Sequence, residues 1–376
     1  MSKFKNLWTK NKYNFKKFWV RNKYKLDLNN ELIKMIDCFI QSESYKLVSK
    51  YWHYLNIRNL SQLKNKNLEN YSTSVAKNYY TFIDVTEDQI KQAMINVENT
   101  FPSEKINLFK KQAGLSYVES MKYNNLTYLL WLNLRNSKSF DKLDKLSDEG
   151  YLSYNDPYIK INDSKITSDK INSLLDYEKI NKFSNFSNIQ NILEIGAGSG
   201  RTSQAILTSH SNIKYTICDI PPALFVSYER LKKVFNTKKI GLLYDLQDSV
   251  ELNNSINNFD ISFIMPHQLN LIKNNNFDLT IAIDCIHEMD KKTIQNYFTN
   301  INNISKLFYF SVWKKTTVPF SGILRKFSFF GILKKYENNL DYFNNDYNIP
   351  KNWLKNFEED LVFPSNFICS GYKIKK

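Results

Sequence analysis

The chain of 376 residues contains little glycine or proline, with 9 and 8 residues respectively, and only 4 cysteines. Cys38, Cys218, Cys285 and Cys369 are scattered and form no Cys-x-x-Cys pair. This pattern argues against a structural zinc site or a disulfide framework, and it fits a reducing compartment. No stretch approaches the ~18 apolar residues of a membrane span, and the N-terminus lacks the apolar core of a signal peptide. We therefore expect a cytoplasmic protein.

Positive charge is in excess, with a formal net charge of +15, while aromatic residues make up 15% of the chain. The aromatic content indicates a globular protein with a packed core. The charge would suit nucleic acid, a membrane surface or an anionic polymer, but a lysine-rich coding bias explains it equally well. The sequence has neither zinc-finger spacing nor an aromatic RNA-binding motif, so we expect no nucleic-acid partner.

Residues 1–26 carry many lysines and no acid, with aromatic residues between them. Three interpretations stay open: an amphipathic helix on the anionic inner face of a membrane, a basic arm, or a solvated helix. Through residues 28–145, apolar residues recur at three- and four-residue steps, as at Leu32, Met35, Ile36 and Phe39. This spacing predicts a helical N-terminal domain, residues 1–145, which either shapes a substrate pocket or only packs.

The periodicity changes in the second predicted domain, residues 146–376, where strand and helix patterns alternate from residue 188 onward. This alternation predicts an α/β fold with a mostly parallel sheet covered on both faces. The predicted strands are residues 189–195, 213–219, 240–244, 261–265, 279–283, 307–312 and 367–374. Helices are expected at 167–180, 201–209, 221–235 and 291–302, and the last strand is expected to be antiparallel.

The most informative motif joins the first of these strands to a helix through three alternating glycines, Gly196, Gly198 and Gly200. Glycine tolerates positive φ and has no Cβ, so a ligand can lie close to this backbone. Glu194 stands just before the turn, where a carboxylate suits an ammonium group better than an anionic pyrophosphate. The turn therefore favours S-adenosylmethionine over a dinucleotide as the ligand.

Two further segments are candidates for contacts to the nucleoside part of the cofactor. Asp219 ends the second strand, where a carboxylate can accept hydrogen bonds from ribose hydroxyls, although an NAD enzyme needs the same acid. The alternative role for Asp219 is to cap the next helix, and the strand–turn–helix context favours nucleotide binding. After the strand 261–265, Gln268 could pair with adenine or His267 could stack on it, unless this is an ordinary loop.

The segment that follows the strand 279–283 is the candidate for the catalytic residues. It should face the methyl group that S-adenosylmethionine would transfer. His287 is the first candidate for a general base, because an unperturbed histidine titrates near neutral pH, with Glu288 as its orienter or as the base itself. Alternatively, His287 packs and Glu288 caps the following helix. Together with Asp284 and Asp290 these residues could also bind a divalent metal such as magnesium, which we do not favour because such residues are common at helix starts.

These motifs resemble those of class I S-adenosylmethionine-dependent methyltransferases, and most of all the sugar O-methyltransferases of bacterial surface-polysaccharide clusters. The resemblance rests on Leu193-Glu194-Ile195-Gly196-Ala197-Gly198-Ser199-Gly200, Cys218-Asp219-Ile220-Pro221, Phe277-Asp278-Leu279 and His287-Glu288-Met289. It implies a Rossmann-like fold with a seven-stranded sheet whose last strand is antiparallel. It also implies a Glu at position 288, but it does not decide whether His287 or Glu288 is the base.

Together these patterns predict an S-adenosylmethionine-dependent O-methyltransferase that acts on a sugar hydroxyl in glycan or surface-polysaccharide biosynthesis. The predicted cofactor-binding residues are Glu194, Gly196, Ala197, Gly198, Ser199, Gly200, Asp219, Ile220, Gln268 and Asp284. The predicted catalytic residues are His287 and Glu288, and no metal ligand is assigned. Two alternatives stay open: an NAD-dependent sugar epimerase or dehydrogenase, and a non-catalytic module held at a membrane or polymer by its basic N-terminus.

Overall fold

A computed structural model describes residues 30–42, 106–108, 112, 117–148, 157–221, 223–274, 276–318, 338–360 and 367–375. The basic segment 1–26 lies outside the described residues, and the predictions made for it stay predictions. Within the described ranges, none of the helices has the length and apolar character needed to cross a membrane.

The segments before the main sheet are helical with one small antiparallel sheet. In chain order they are α1 (Asn30–Gln41), β1 (Ile106–Asn107), α2 (Tyr117–Arg135), β2 (Ile159–Ile161), β3 (Ser164–Ile166) and α3 (Ser168–Ser184). The predicted apolar face of α1 is confirmed, since Leu32, Met35, Ile36 and Phe39 are all buried. Strand β1 pairs with β2, so strand pairing joins segments on both sides of the domain boundary predicted at residues 145 and 146.

Helix α1 also makes polar contacts with the main α/β unit. The Tyr244 hydroxyl donates a hydrogen bond to Oε1 of Glu31 at 2.6 Å, and Cys38 Sγ donates to the Tyr244 carbonyl at 3.3 Å. Tyr244 follows the strand at one edge of the main sheet. This part of the N-terminal region is therefore anchored to the sheet by hydrogen bonds as well as by apolar packing.

The remaining strands form one large sheet and one two-stranded ribbon. They are β4 (Asn191–Ile195), β5 (Lys214–Cys218), β6 (Ile240–Leu242), β7 (Ile261–Ile264), β8 (Phe277–Ile283), β9 (Ser305–Trp313), β10 (Lys315–Val318), β11 (Asn338–Asp341), β12 (Trp353–Asp360) and β13 (Phe367–Ile374). Strands β10 and β11 pair with each other, and the 8-stranded sheet has the order β12-β13-β9-β8-β4-β5-β7-β6. Strands β4 to β9 pair in parallel, whereas β13 is antiparallel to both of its neighbours.

The mostly parallel sheet and the antiparallel last strand are confirmed, and the fold is Rossmann-like. The sheet has 8 strands rather than the seven that the resemblance implied. Residues 240–264 contribute two short strands, β6 and β7, which are joined by a helix and lie side by side at one edge. Strand β4 has β5 on one side and β8 on the other, so the strand order reverses at β4. Ligands of such sheets bind beyond the carboxyl ends of the strands at this switch point.

Four more helices cover the sheet, namely α4 (Arg201–Ser209), α5 (Ala223–Val234), α6 (Ser249–Asn258) and α7 (Lys291–Ile304). Successive strand residues pack into two different cores, as Ile192 and Leu193 do, because side chains alternate between the faces of a strand. Helices α3, α4 and α5 contribute to the first core, and α6 and α7 to the second. Thr167 caps α3 by accepting a hydrogen bond from the backbone N–H of Lys170.

Candidate functional site

The glycine turn connects β4 to α4 at the switch point of the sheet. Gly196, Gly198 and Gly200 have φ values of 69°, 58° and 77°, which is the left-handed region that other residues rarely adopt. A Cβ built on Gly198 would meet no atom within 4 Å, so the backbone there borders open space. Ala197 is buried, whereas Ser199 is partly exposed beside it. The sequence pattern therefore folds into a turn with room for a ligand at its centre.

The loop after β8 packs directly against this turn, as expected for segments that follow adjacent strands. A Cβ on Gly196 would lie 2.5 Å from Cβ of Cys285, which is closer than real atoms approach. Cys285 Sγ also donates a hydrogen bond to the carbonyl of Ile195 at 3.0 Å. The glycine turn and the loop that carries the predicted catalytic residues thus form one contiguous site.

Asp219 fastens the turn to the end of β5. Its Oδ2 accepts a hydrogen bond from the backbone N–H of Gly198 at 2.9 Å, and its Oδ1 accepts one from its own neighbour Ile220 at 2.7 Å. Burial raises the pKa of this carboxyl to about 6, although both backbone donors lower it. Each oxygen keeps a second lone pair, so the carboxylate can both shape the turn and accept hydrogen bonds from a ligand.

Glu194 is the second-last residue of β4, just before the glycine turn, and it is 2% exposed. The Tyr215 hydroxyl on the neighbouring strand β5 donates a hydrogen bond to Oε2 of Glu194 at 2.8 Å. Burial is the main cause that raises the pKa of Glu194 to about 7, against the lowering effects of Tyr215 and Arg201. Tyr215 is a partner that the sequence analysis missed, although side chains of paired strands on one sheet face are expected to meet.

Arg201, the first residue of α4, connects two acids from distant parts of the chain. Its guanidinium nitrogen Nη1 lies 2.6 Å from Oδ2 of Asp176 on α3, and Nη2 lies 3.6 Å from Oδ2 of Asp284. Asp176 and Arg201 were not predicted, because nothing in the sequence places residue 176 beside the glycine turn. A basic residue directly after the glycines was the one available signal.

His287 has the environment of a core side chain. It is 4% exposed, its ring stacks on Trp313 at 5.2 Å between centroids, and Phe367 packs edge-on against it. Burial lowers the pKa of His287 to about 3, which is far from the neutral range expected of a general base. Glu288, by contrast, is exposed. The packing interpretation of His287 therefore fits this geometry better than the catalytic one.

The Gln268 amide is buried and occupied by hydrogen bonds within the protein, which corrects the adenine pairing suggested for it. It is fully buried, its Nε2 donates to the carbonyls of Leu243 and Leu246 at 2.7 Å each, and its Oε1 accepts from the Met265 N–H at 2.8 Å. Both N–H groups of the amide are used in these hydrogen bonds, so Gln268 links the loop after β7 to the segment after β6. The ring nitrogens of neighbouring His267 are buried and lack a hydrogen-bond partner in the described part of the chain.

The four residues considered as a metal cluster do not converge. Asp290 caps α7 by accepting a hydrogen bond from the Thr293 N–H, while the His287 ring lies between aromatic side chains. Among the described residues, no group of three His, Cys, Asp or Glu side chains is arranged to hold a metal ion.

No family model and no curated protein matches the sequence. Similar solved structures include the mitomycin 7-O-methyltransferase MmcR, at 9% identity over 69% of this chain and 70% of that chain, with a TM-score of 0.37. The PH0226 protein from Pyrococcus horikoshii OT3 is 15% identical over 55% of this chain and 90% of that chain, with a TM-score of 0.36. An S-adenosylmethionine-dependent methyltransferase from Clostridium acetobutylicum ATCC 824 is 10% identical over 55% and 90%, with a TM-score of 0.33. At identities and TM-scores this low, these likenesses carry no argument about the activity of the chain.

Proposed function

We propose that this chain is an S-adenosylmethionine-dependent O-methyltransferase whose acceptor is a sugar hydroxyl on a glycan or a nucleotide-linked sugar. The observation that carries the proposal is a group of buried or half-buried carboxylates around an open glycine turn. Glu194, Asp219 and Asp284 lie at the carboxyl ends of three adjacent strands. In the described residues, Arg201 is the cation that contacts this group, and it is shared with Asp176.

The charge of this group fits the proposed cofactor. S-adenosylmethionine carries an ammonium and a sulfonium, two cations that complement buried carboxylates. Glu194 beside the glycine turn would instead repel the pyrophosphate of NAD, whereas Asp219 suits the ribose of either cofactor. The space at Gly198 gives the cofactor access to the backbone. Burial is the largest effect that raises the pKa of both Glu194 and Asp284 to about 7, and Arg201 lowers both. A cation bound beside these carboxyls would favour their ionised forms.

Each group of residues that would hold the cofactor has its own role. The turn from Gly196 to Gly200 would receive its amino-acid portion, with Glu194 toward the ammonium. Asp219 would accept hydrogen bonds from the ribose hydroxyls, beside Ile220. When bound, S-adenosylmethionine supplies a methyl group activated by its positive sulfur. The protein contributes alignment of the acceptor, exclusion of water and removal of the hydroxyl proton.

The acceptor class rests on the resemblance of two motifs, Asp219-Ile220-Pro221 and Glu288-Met289, to those of the sugar O-methyltransferases. We extend the proposal to glycan or surface-polysaccharide biosynthesis in the cytoplasm, with residues 1–26 contacting an anionic membrane face and with no nucleic-acid partner. Removing residues 1–26 should then lower partition onto vesicles that contain anionic lipid. An unchanged partition would contradict the membrane contact alone.

Isothermal titration calorimetry with S-adenosylmethionine, S-adenosylhomocysteine and NAD tests the cofactor. We expect binding of the first two and none of NAD, with affinity lowered at least ~10-fold in Asp219→Asn because a charge-assisted hydrogen bond is lost. Asp248→Asn is the matched control, since Asp248 only caps α6. Binding of NAD instead would overturn the proposal in favour of the epimerase or dehydrogenase.

The acceptor is then tested with methyl-labelled S-adenosylmethionine and a panel of nucleotide-linked hexoses, oligosaccharides and tRNA. Label on a sugar hydroxyl supports the proposal. Label on tRNA alone would leave the methyltransferase assignment intact and overturn the sugar acceptor.

A further inference from the structure

Asp284 has an unusual backbone at a position where chemistry is expected. It directly follows β8 and adopts φ of +56° although it is not a glycine. Its backbone N–H donates to the carbonyl of Ser311 on β9 at 3.1 Å, which holds this conformation in place. Left-handed conformations of non-glycine residues persist where surrounding structure enforces them, and they are enriched at functional sites. The next residue, Cys285, packs on Gly196, so Asp284 lies beside the glycine turn.

Among the residues that the structure describes, a contact is seen to one oxygen of the Asp284 carboxylate. Oδ2 lies 3.6 Å from Nη2 of Arg201, and the side chain is 30% exposed. Within the described residues, Oδ1 has no hydrogen-bond partner. Arg201 is itself oriented by the buried Asp176, whose Oδ2 lies 2.6 Å from Nη1 of Arg201. The carboxylate is therefore held at one oxygen, while the other is without a hydrogen bond in the described part of the chain and the side chain is partly exposed.

We propose that Asp284 is the general base that accepts the proton of the acceptor hydroxyl, with Arg201 and Asp176 as positioning residues. This inference rests on the proposed methyl transfer and reassigns Asp284 from cofactor binding to catalysis. The residues that the sequence suggested as bases are less suited to the task. His287 is enclosed by Trp313 and Phe367, and Glu288 is exposed to solvent.

The proton and electron transfers balance without a further reactant. The hydroxyl O–H bond breaks and its proton moves to Oδ1 of Asp284, while the oxygen uses an electron pair to form the new bond to the methyl carbon. The bond from that carbon to the sulfonium sulfur breaks, and its electron pair stays on sulfur, which becomes neutral. Asp284 then releases the proton to water through its exposed edge.

The charged groups around Asp284 suit this task. Burial is the largest effect and raises its pKa, Arg201 lowers it, and Asp176, Glu288 and Asp169 raise it, with the result at about 7. A carboxyl whose pKa lies near the working pH is partly ionised, so it can accept a proton. It is also a stronger base than a carboxyl with a lower pKa. An unperturbed aspartate, by contrast, is a weak base for a hydroxyl proton.

The experiment compares the full chain with Asp284→Asn and the control Asp290→Asn, an amide substitution in the same loop at the cap of α7. Calorimetry with S-adenosylhomocysteine gives the cofactor affinity, an infrared pH titration follows the carboxyl bands, and labelled methyl transfer to a nucleotide-linked hexose gives the rate. For Asp284→Asn we expect an affinity within ~10-fold of wild type, loss of one carboxyl that titrates near neutrality, and transfer slowed at least ~100-fold. The wild-type rate should rise with pH up to a plateau above pH 7, and Asp290→Asn should keep this profile.

The outcomes separate the two proposals. If the wild type binds neither S-adenosylmethionine nor S-adenosylhomocysteine, the proposed function is overturned. If binding is intact but Asp284→Asn transfers methyl groups at the wild-type rate, or if its infrared titration matches that of the wild type, Asp284 is not the base. Loss of cofactor affinity in Asp284→Asn would return this residue to cofactor binding and also overturn its assignment as base.

Discussion

The backbone of Gly196 and the side chain of Cys285 are packed so closely that no further atom fits between them. A Cβ on Gly196 would lie 2.5 Å from Cβ and 2.7 Å from Sγ of Cys285. A glycine is therefore required at position 196 for two reasons, its φ of 69° and this close contact. The contact holds the turn after β4 and the loop after β8 at one distance, which a methyl donor and its acceptor would need.

Gly196→Ala should destabilise the fold itself. The left-handed backbone costs an alanine about 1 to 2 kcal/mol, and overpacking against Cys285 adds about 1 to 3 kcal/mol. We expect the free energy of unfolding, measured with urea, to fall by an amount in that combined range. A loss below about 0.5 kcal/mol, typical of surface substitutions, would mean that the contact is absent in solution.

Gly198→Ala should have the opposite profile, with a small loss of stability and a large loss of cofactor affinity. A Cβ at this position meets nothing within 4 Å, so only the strain of the φ of 58° affects the fold. The same Cβ would enter the space where the cofactor approaches the backbone. We expect stability to fall by about 1 kcal/mol while calorimetry shows at least ~10-fold weaker binding of S-adenosylhomocysteine. Unchanged affinity would show that the ligand does not lie against Gly198.

Most of the contribution of Arg201 to stability should depend on Asp176, its ion-pair partner at 2.6 Å. Removing the cation in Arg201→Met leaves a buried carboxylate unpaired, which typically costs about 3 to 5 kcal/mol. Replacing both residues, in Arg201→Met with Asp176→Leu, should restore much of that loss. Urea unfolding of the two single variants and the double variant gives the coupling energy directly. Additive losses would indicate that the 2.6 Å ion pair contributes no net coupling.

How much of this site could be predicted depended on how local each contact is in the sequence. The glycine turn and the acid that ends β5 are local patterns, because a strand, a turn and a helix follow one another along the chain. Asp176 meets Arg201 only through the packing of α3 on α4, and no spacing rule reports that contact. Gln268 was misassigned because a loop position after a strand does not reveal which way an amide points.

The edge strand β12 and the environment of His287 both escaped prediction, for different physical reasons. Most side chains of β12 are exposed, so its sequence lacks the apolar alternation that predicts a half-buried strand. His287 looked like a base because histidine titrates near neutrality in water. Its partners, Trp313 and Phe367, come from β9 and β13, which are distant in sequence, and they replace that water with aromatic rings.

The pH dependence of stability tests this account of His287. Its pKa is lowered from 6.5 to about 3 in the folded protein, so the unfolded chain binds the proton first as the pH falls. The stability of the wild type relative to His287→Phe should therefore be constant above pH 6.5 and decline below it. The slope is at most about 1.4 kcal/mol per pH unit and ends near the folded pKa. Urea unfolding of both proteins between pH 7 and pH 5 measures the difference, with phenylalanine keeping the aromatic packing. A pH-independent difference would mean that the folded protein protonates His287 as readily as the unfolded chain does, and His287 would then regain its standing as a candidate base.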